Sequence, residues 1–338
     1  MAPLKCLISY AYYQKYGPQR FRELFVEPPN VMLDSGGFSA LTLGLDITVD
    51  GYASWLRDWA PVADCYANLD VIGDAEGTWR NQQQLEAMGF APVPVFHVNE
   101  DWKWLHHYLD KGYGYIALGG MVPHAIRPRN LMPWILRAFQ IAGDRAVFHG
   151  FGATSWEIIS SFPWYSVDSS SWGSGFRYGA LAIFDERLGH FARFSIGERD
   201  KVYQYAEQIR RYGVDPKVFV DRALYHRRYA ARVAGATYQD AEAYLRRRFG
   251  PIARPNGGDG LNLRLVAGSS GQPGQKHNAL VDASGLHLQL VDSNAQNLQA
   301  VGLHVRLADT VALNLTLAES AVAVGAQTKR LQRKAAKG

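Results

Sequence analysis

Two short apolar runs in this chain end in a carboxylate. Val31-Met32-Leu33 leads into Asp34, and Tyr165-Ser166-Val167 leads into Asp168. After Asp34 come Ser35, Gly36 and Gly37, which let the backbone turn away and approach a flat ligand closely. Two acids at strand tips suit a double displacement at a sugar carbon. One attacks as nucleophile while the other moves protons on and off the leaving and entering groups. A lone strand-end aspartate proves little, because such residues often cap the next helix. Asp74 is read that way, as the cap of a helix starting near Ala75. Asp70 is a third strand-end acid, and His97, Gly119-Gly120 and His149-Gly150 close three further apolar runs.

These groups meet only if the elements beneath them are ordered alike. Strand patterns fall at 4–10, 30–34, 64–70, 91–98, 115–120, 145–150 and 165–168. Helical patterns fall between them, at 19–25, 49–59, 75–88, 100–110, 128–142 and 155–162, with Thr48 and Thr154 as caps. The strands read as apolar throughout, as in a parallel sheet covered by helices. Seven such steps predict an α/β fold, a (β/α)8 barrel whose eighth strand lies somewhere in 180–196. A doubly wound open sheet has the same periodicity. The barrel is preferred because it gathers all the polar strand ends into one ring around one pocket, whereas an open sheet strings them along an edge.

The predicted organisation is a catalytic barrel at 1–196, a basic helical extension at 197–250, a small β-rich appendage at 251–328 and a basic tail at 329–338. In the extension, Arg210, Arg211, Arg227 and Arg228 belong to an arginine-rich run. Such a run is either a solvated helical face or a surface that contacts phosphates. In the appendage, Gly-Leu-x-(Leu/Val)-x-Leu recurs at 260–265, 285–290 and 302–307, the alternation of short half-buried strands.

The totals fit a globular enzyme: 338 residues, 47% hydrophobic, 20% charged, with a formal charge of +5 that permits a polyanionic partner. Cys6 and Cys65, the two cysteines, sit in apolar runs and read as reduced thiols. No membrane-length run and no signal-like N-terminus is visible, so the expectation is a soluble, cytoplasmic protein. No Gly-x-x-x-x-Gly-Lys loop marks a nucleotide triphosphate site.

Asp34-Ser35-Gly36-Gly37-Phe38 resembles the signature of the tRNA-guanine transglycosylases, (β/α)8 enzymes that exchange guanine for a 7-deazaguanine. Further likenesses follow in that family's order. Asn68-Leu69-Asp70 resembles its guanine-reading strand end. Pro94-Val95-Phe96-His97 stands where the family has an apolar strand ending in Gln. Leu118-Gly119-Gly120-Met121 is similar to its Gly-Gly-Leu strand, His149-Gly150-Phe151-Gly152 to its Gly-x-Gly strand, and Asp168 falls at the nucleophile's position. The likeness spans roughly residues 4–180.

The resemblance implies that Asp168 is the nucleophile and Asp34 the acid–base. It implies a base-binding set of Asp70, Ser35, Gly36, His97, Gly119, Gly120 and Met121. Tyr10, Phe38, Met121 and Trp172 are candidates for clamping the base, or equally for filling the core. The family's zinc-binding Cys-x-Cys-x-x-Cys…His cluster is absent, so no metal or other cofactor is expected. Ser169-Ser170-Ser171-Trp172 replaces the family's Pro-Thr-Arg run, and no tRNA-binding C-terminal domain is recognisable. These departures point to the DNA-guanine transglycosylases of phage and bacterial 7-deazaguanine DNA modification. DNA and a free 7-deazaguanine base such as preQ0 or preQ1 are then the expected partners, with tRNA as the alternative polymer. A glycoside hydrolase and a catalytically silent nucleic-acid-binding subunit are the rival readings.

Overall fold

A computed structural model describes residues 4–255 apart from 24, 26–27, 40–43, 123–127, 154, 170–172 and 174–177. The predicted appendage and tail therefore lie, beyond residue 255, outside the described residues. The fold is mixed α/β. Seven parallel strands follow one another in sequence order: β1 (Lys5–Ser9), β2 (Asn30–Asp34), β3 (Cys65–Tyr66), β4 (Val95–His97), β5 (Tyr115–Gly119), β6 (Val147–Gly150) and β7 (Ser166–Val167). The ladder runs β1-β2-β3, then β4-β5-β6-β7, and a single parallel bridge between Ala67 and Val93 joins the two parts. Among the described residues no ladder connects β7 back to β1, so hydrogen bonds do not close a barrel.

The strands look uniformly apolar because both faces are covered, by two different cores. Val31, Leu33, Phe96, Ile116, Leu118 and Phe148 face the helices, in two large clusters that contain Trp55, Trp59, Leu105 and Ile135. The alternate residues form a smaller cluster on the other face: Ala67, Val93, Val95, Tyr115 and Ala117, with Met32, Cys65 and Val147 against them. The period-2 alternation of a strand then puts Asp34, His97, Gly119, His149 and Asp168 on the inner face with that cluster. Position along the strand puts them at its C-terminal end.

After a single helical turn at Tyr10–Tyr13, the described helices of this part include α1 (Pro18–Arg22), α2 (Val49–Trp59), α3 (Ala75–Ala87), α4 (Lys103–Asp110), α5 (Pro128–Ala142) and α6 (Trp156–Ser161). Two caps set their starts. Thr48 Oγ1 accepts from Gly51 N–H at 3.2 Å, and Asp74 Oδ1 accepts from Gly77 N–H at 2.8 Å. Cys6 and Cys65 are unpaired thiols, and burial pushes them up to about 12 and about 11, far from thiolate reactivity.

The segment expected to hold an eighth strand is a hairpin. β8 (Ala180–Asp185) and β9 (His190–Ser195) pair antiparallel through the turn that contains Gly189, which has φ +66°. So short a turn forces the two strands to run antiparallel, where one parallel strand was expected. The hairpin packs instead on the helices that follow: α7 (Arg199–Gln204), α8 (Ala206–Arg211) and α9 (Arg227–Phe249). Leu181, Ile183 and Phe194 share a core with Val202, Ile209 and Val233, and Phe184 N–H donates to Thr237 Oγ1 inside α9. Trp156 of α6 contacts this unit, packing edge-to-face with Phe184 and Phe191 and donating to Gly189 O. No described helix is long and apolar enough to cross a membrane.

Replacing Thr48 by Ala removes the cap of α2, the helix that carries Trp55 and Trp59. The expected cost is about 1 kcal/mol, seen as a fall of roughly 2–4 °C in Tm by calorimetry.

Candidate active site

Asp34 closes β2 beside Ser9, its register partner at the end of β1. Gly36 follows with φ +77°, and a Cβ there would lie 2.5 Å from that of Ala11 and 2.7 Å from Ser9 Oγ. Only glycine fits this close return of the loop on β1. The Asp34 carboxyl is pushed up to about 7, chiefly by burial and then by the negative charges of Asp70 and Asp168, while Ser9 and the Gly36 N–H pull the other way.

Asp168 follows β7, five strands from β2. On a flat sheet that is roughly 24 Å, well past the screening length of about 8–10 Å. Its charge nonetheless contributes to raising the Asp34 carboxyl, after burial and Asp70.

Asp70 is held by two side chains. Ser35 Oγ donates to Oδ1 at 2.9 Å, and His97 Nε2 lies 2.8 Å from Oδ2. The far side of the imidazole is held as firmly: His97 Nδ1 is 3.0 Å from Glu100 Oε1, and the His97 N–H donates to Glu100 Oε2 at 3.0 Å. Asn99, at φ +72°, makes the turn that folds Glu100 back onto His97. Burial alone would keep the ring neutral, but hydrogen bonds and charge from both carboxylates outweigh it, raising His97 to about 10. His97 is therefore an imidazolium at neutral pH. Burial pushes Asp70 up, yet the hydrogen bonds and charge of His97 and the Ser35 bond more than offset it, and its carboxyl stays below the usual range. Gly119 makes room for this ring, since a Cβ there would meet His97 Cδ2 at 2.7 Å.

The Asp168 side chain is about a quarter exposed, against about a tenth for Asp70, so it is the more accessible of those two. Gly152 N–H donates to its Oδ1 at 2.8 Å. His149 Nε2 is 3.4 Å from the same oxygen, and His149 Nδ1 is 2.7 Å from Ser166 Oγ. Gly120, at φ +72°, turns the chain away from β5.

Several expected contributors stand elsewhere. The Met121 side chain is buried among Phe96, Leu105 and Leu131, on the helix side of the sheet. Tyr10 packs edge-on against Tyr52 and Trp55 at 5.6 and 5.4 Å, a core position. Phe38, four residues after Asp34, is 40% exposed. Trp172, like Thr154, lies outside the described residues. Of the four arginines expected at a phosphate surface, Arg211 is tied to Asp240 at 2.5 Å and Arg228 stacks on Tyr229. Arg210 and Arg227 are exposed, and neither has an ion pair among the described residues. Arg246 and Arg247 bind Glu242 and Glu186, so much of this run is a solvated, paired helical face. Among the described residues no three His, Cys, Asp or Glu side chains are grouped to hold a metal ion.

A cavity of about 420 Å³ opens at the opposite, N-terminal end of β3–β5, lined in part by Asp64, Cys65, Tyr113, Tyr115 and Arg254. None of the strand-end acids lines it. Compared with known proteins, the chain matches no family model and no curated protein.

Sequence reasoning missed Glu100, Ser166, Tyr115 and Gly152. Two had a readable signal. Ser166 precedes Asp168 by two residues, so a strand puts both on one face. Glu100 stands three after His97, which a tight turn converts into contact.

Two expectations follow. Gly119→Ala should drive the His97 ring off Asp70 and lower stability by about 1–3 kcal/mol in urea titration. The second concerns pH. Asp34 binds its proton more tightly folded than unfolded, so its contribution to stability falls as pH rises from about 4 to about 7. The His97 contribution is full below about 6.5 and lost as pH rises towards about 10. Asp34→Asn should flatten the first fall and His97→Gln the second, read as ΔG of unfolding against pH.

Proposed function

We propose that the chain exchanges guanine in a nucleic acid, DNA in the first instance, for a 7-deazaguanine of the preQ0 or preQ1 kind, as a transglycosylase on a (β/α)8-like barrel. The observation that carries this reading is the trio at one end of the sheet. Asp34 has a carboxyl near 7, Asp168 is an accessible carboxylate electrostatically linked to it, and Asp70 is kept ionised between them by the His97 imidazolium. A glycosidase needs the first two. The third, a carboxylate with one lone-pair direction left on each oxygen, suits the N1–H and exocyclic amine of guanine, two donors side by side.

A base inside a duplex hides its glycosidic bond, so the target nucleotide must be flipped or single-stranded, at a cost of a few kcal/mol. Asp70 receives the flipped guanine edge, and backbone N–H groups at Gly119-Gly120 bind O6. Asp168 attacks C1′; the bond to N9 breaks and its electron pair leaves with the base, which takes a proton from Asp34. A carboxyl that titrates near neutrality gives and recovers a proton with little penalty either way. The incoming deazaguanine then loses its N9 proton to Asp34, and N9 displaces Asp168 from C1′. Two inversions restore the starting configuration. Ser35 and Gly36 hold the loop that positions Asp34 and Asp70, Phe38 covers the base, and exposed Arg210 and Arg227 are the cations left for phosphates.

Incubation of the full chain with radiolabelled guanine and DNA should transfer label into the polymer, and Asp168→Asn should abolish transfer. Label entering tRNA but not DNA would change the polymer. Label entering neither, with sugar released instead, would favour a glycosidase and end this reading. His97→Gln should raise KM for free guanine at least tenfold, because Asp70 loses its charge partner.

A further inference from the structure

Behind Asp168 lies a line of polar groups that base exchange as described does not use. Tyr115 Oη is 2.7 Å from Ser166 Oγ, and Ser166 Oγ is 2.7 Å from His149 Nδ1. His149 is 3% exposed, and its Nε2 has no hydrogen-bond partner among the described residues, although it points at Asp168 Oδ1 from 3.4 Å. The line starts on the inner face of β5, crosses β7 and β6, and ends at the acid.

Of the two neutral tautomers of His149, charge selects one. If Nδ1 carried the hydrogen, the Nε2 lone pair would face a carboxylate at close range, which is repulsive. With the hydrogen on Nε2, Ser166 donates to Nδ1 and accepts from Tyr115. Burial raises the Tyr115 hydroxyl well above its ordinary value, so it remains a donor. Arg254, 4.3 Å from the centre of the same ring, adds a cation over its face.

Resting on the base-exchange reading, we propose that Tyr115, Ser166 and His149 form a positioning relay that sets the His149 tautomer and holds Oδ1 of Asp168, with Gly152 N–H, so that Oδ2 is the attacking oxygen. In the displacement an Oδ2–C1′ bond forms, the C1′–N9 bond breaks, and its electron pair goes to the base, which Asp34 protonates. Oδ1 becomes the carbonyl oxygen of the aspartyl ester and keeps both donors. Neither donor contacts the sugar, so the relay acts through Asp168 alone. A rotating carboxylate offers its two oxygens at random; a held one offers the same oxygen each time, which is where orientation gains rate.

The test uses the full chain in two independent arms. Nitrogen NMR of the histidine rings should show His149 as a neutral Nε2–H tautomer in the parent, and a tautomer mixture in Ser166→Ala. An Nδ1–H or fully protonated His149 ring at neutral pH in the parent overturns the relay. In the second arm, labelled-guanine exchange by Ser166→Ala and Tyr115→Phe should show kcat lowered about a hundredfold and about tenfold, with KM for guanine unchanged. Ser166→Thr, which keeps the hydroxyl, should restore most of the rate. Parent-like kcat in Ser166→Ala, with unfolding showing it folded, also overturns the proposal. If the parent exchanges no base, the reading beneath it fails, and the NMR arm alone decides whether the relay exists.

Discussion

Like charges crowded into one end of a sheet repel each other, and a fold that keeps them there must supply what holds them. Asp34 is raised by the charges of Asp70 and Asp168, and Glu100 adds a fourth carboxyl beside His97. The arrangement stands because one imidazolium, His97, is locked between Asp70 and Glu100. With that cation in place Asp70 stays ionised, Asp34 takes up a proton instead, and Asp168 is left accessible. The three acids become chemically different although they share a side-chain type.

The backbone around this cation is shaped for it. Gly119 has no Cβ where the ring lies, Asn99 takes a left-handed conformation to bring Glu100 back, and Ser35 reaches Asp70 from the loop after β2. Gly36 presses that loop onto the end of β1 with no space for a side chain. The cost of forcing groups into such positions is a common property of sites that bind or react.

Much of the scaffold was legible in the sequence. The bounds of β2, α2 and α5 follow from the apolar run ending at Asp34, the Thr48 cap, and the periodic stretch after 128. Strand ends carrying Asp34, His97 and Asp168 were legible because polar residues interrupt apolar runs only at the tips. Two things were not. The hairpin at 180–195 read as one strand because periodicity does not show chain reversal, and only the φ of Gly189 makes the turn. The His97–Glu100 clamp was hidden because the apolar pattern after Glu100 suggested a helix starting there, whereas α4 begins at Lys103. Met121 illustrates the opposite error: the turn at Gly120 sends its side chain to the helix side of the sheet, away from the acids.

The account stands or falls on Asp168 forming a bond to the sugar. Incubating the chain with guanine-containing DNA without free base, then denaturing and mapping the peptides by mass spectrometry, reads that bond directly. The account predicts a nucleic-acid adduct on the peptide carrying Asp168, lost in Asp168→Asn and released by adding a 7-deazaguanine. An adduct on any other residue, or none on DNA and tRNA alike, contradicts it.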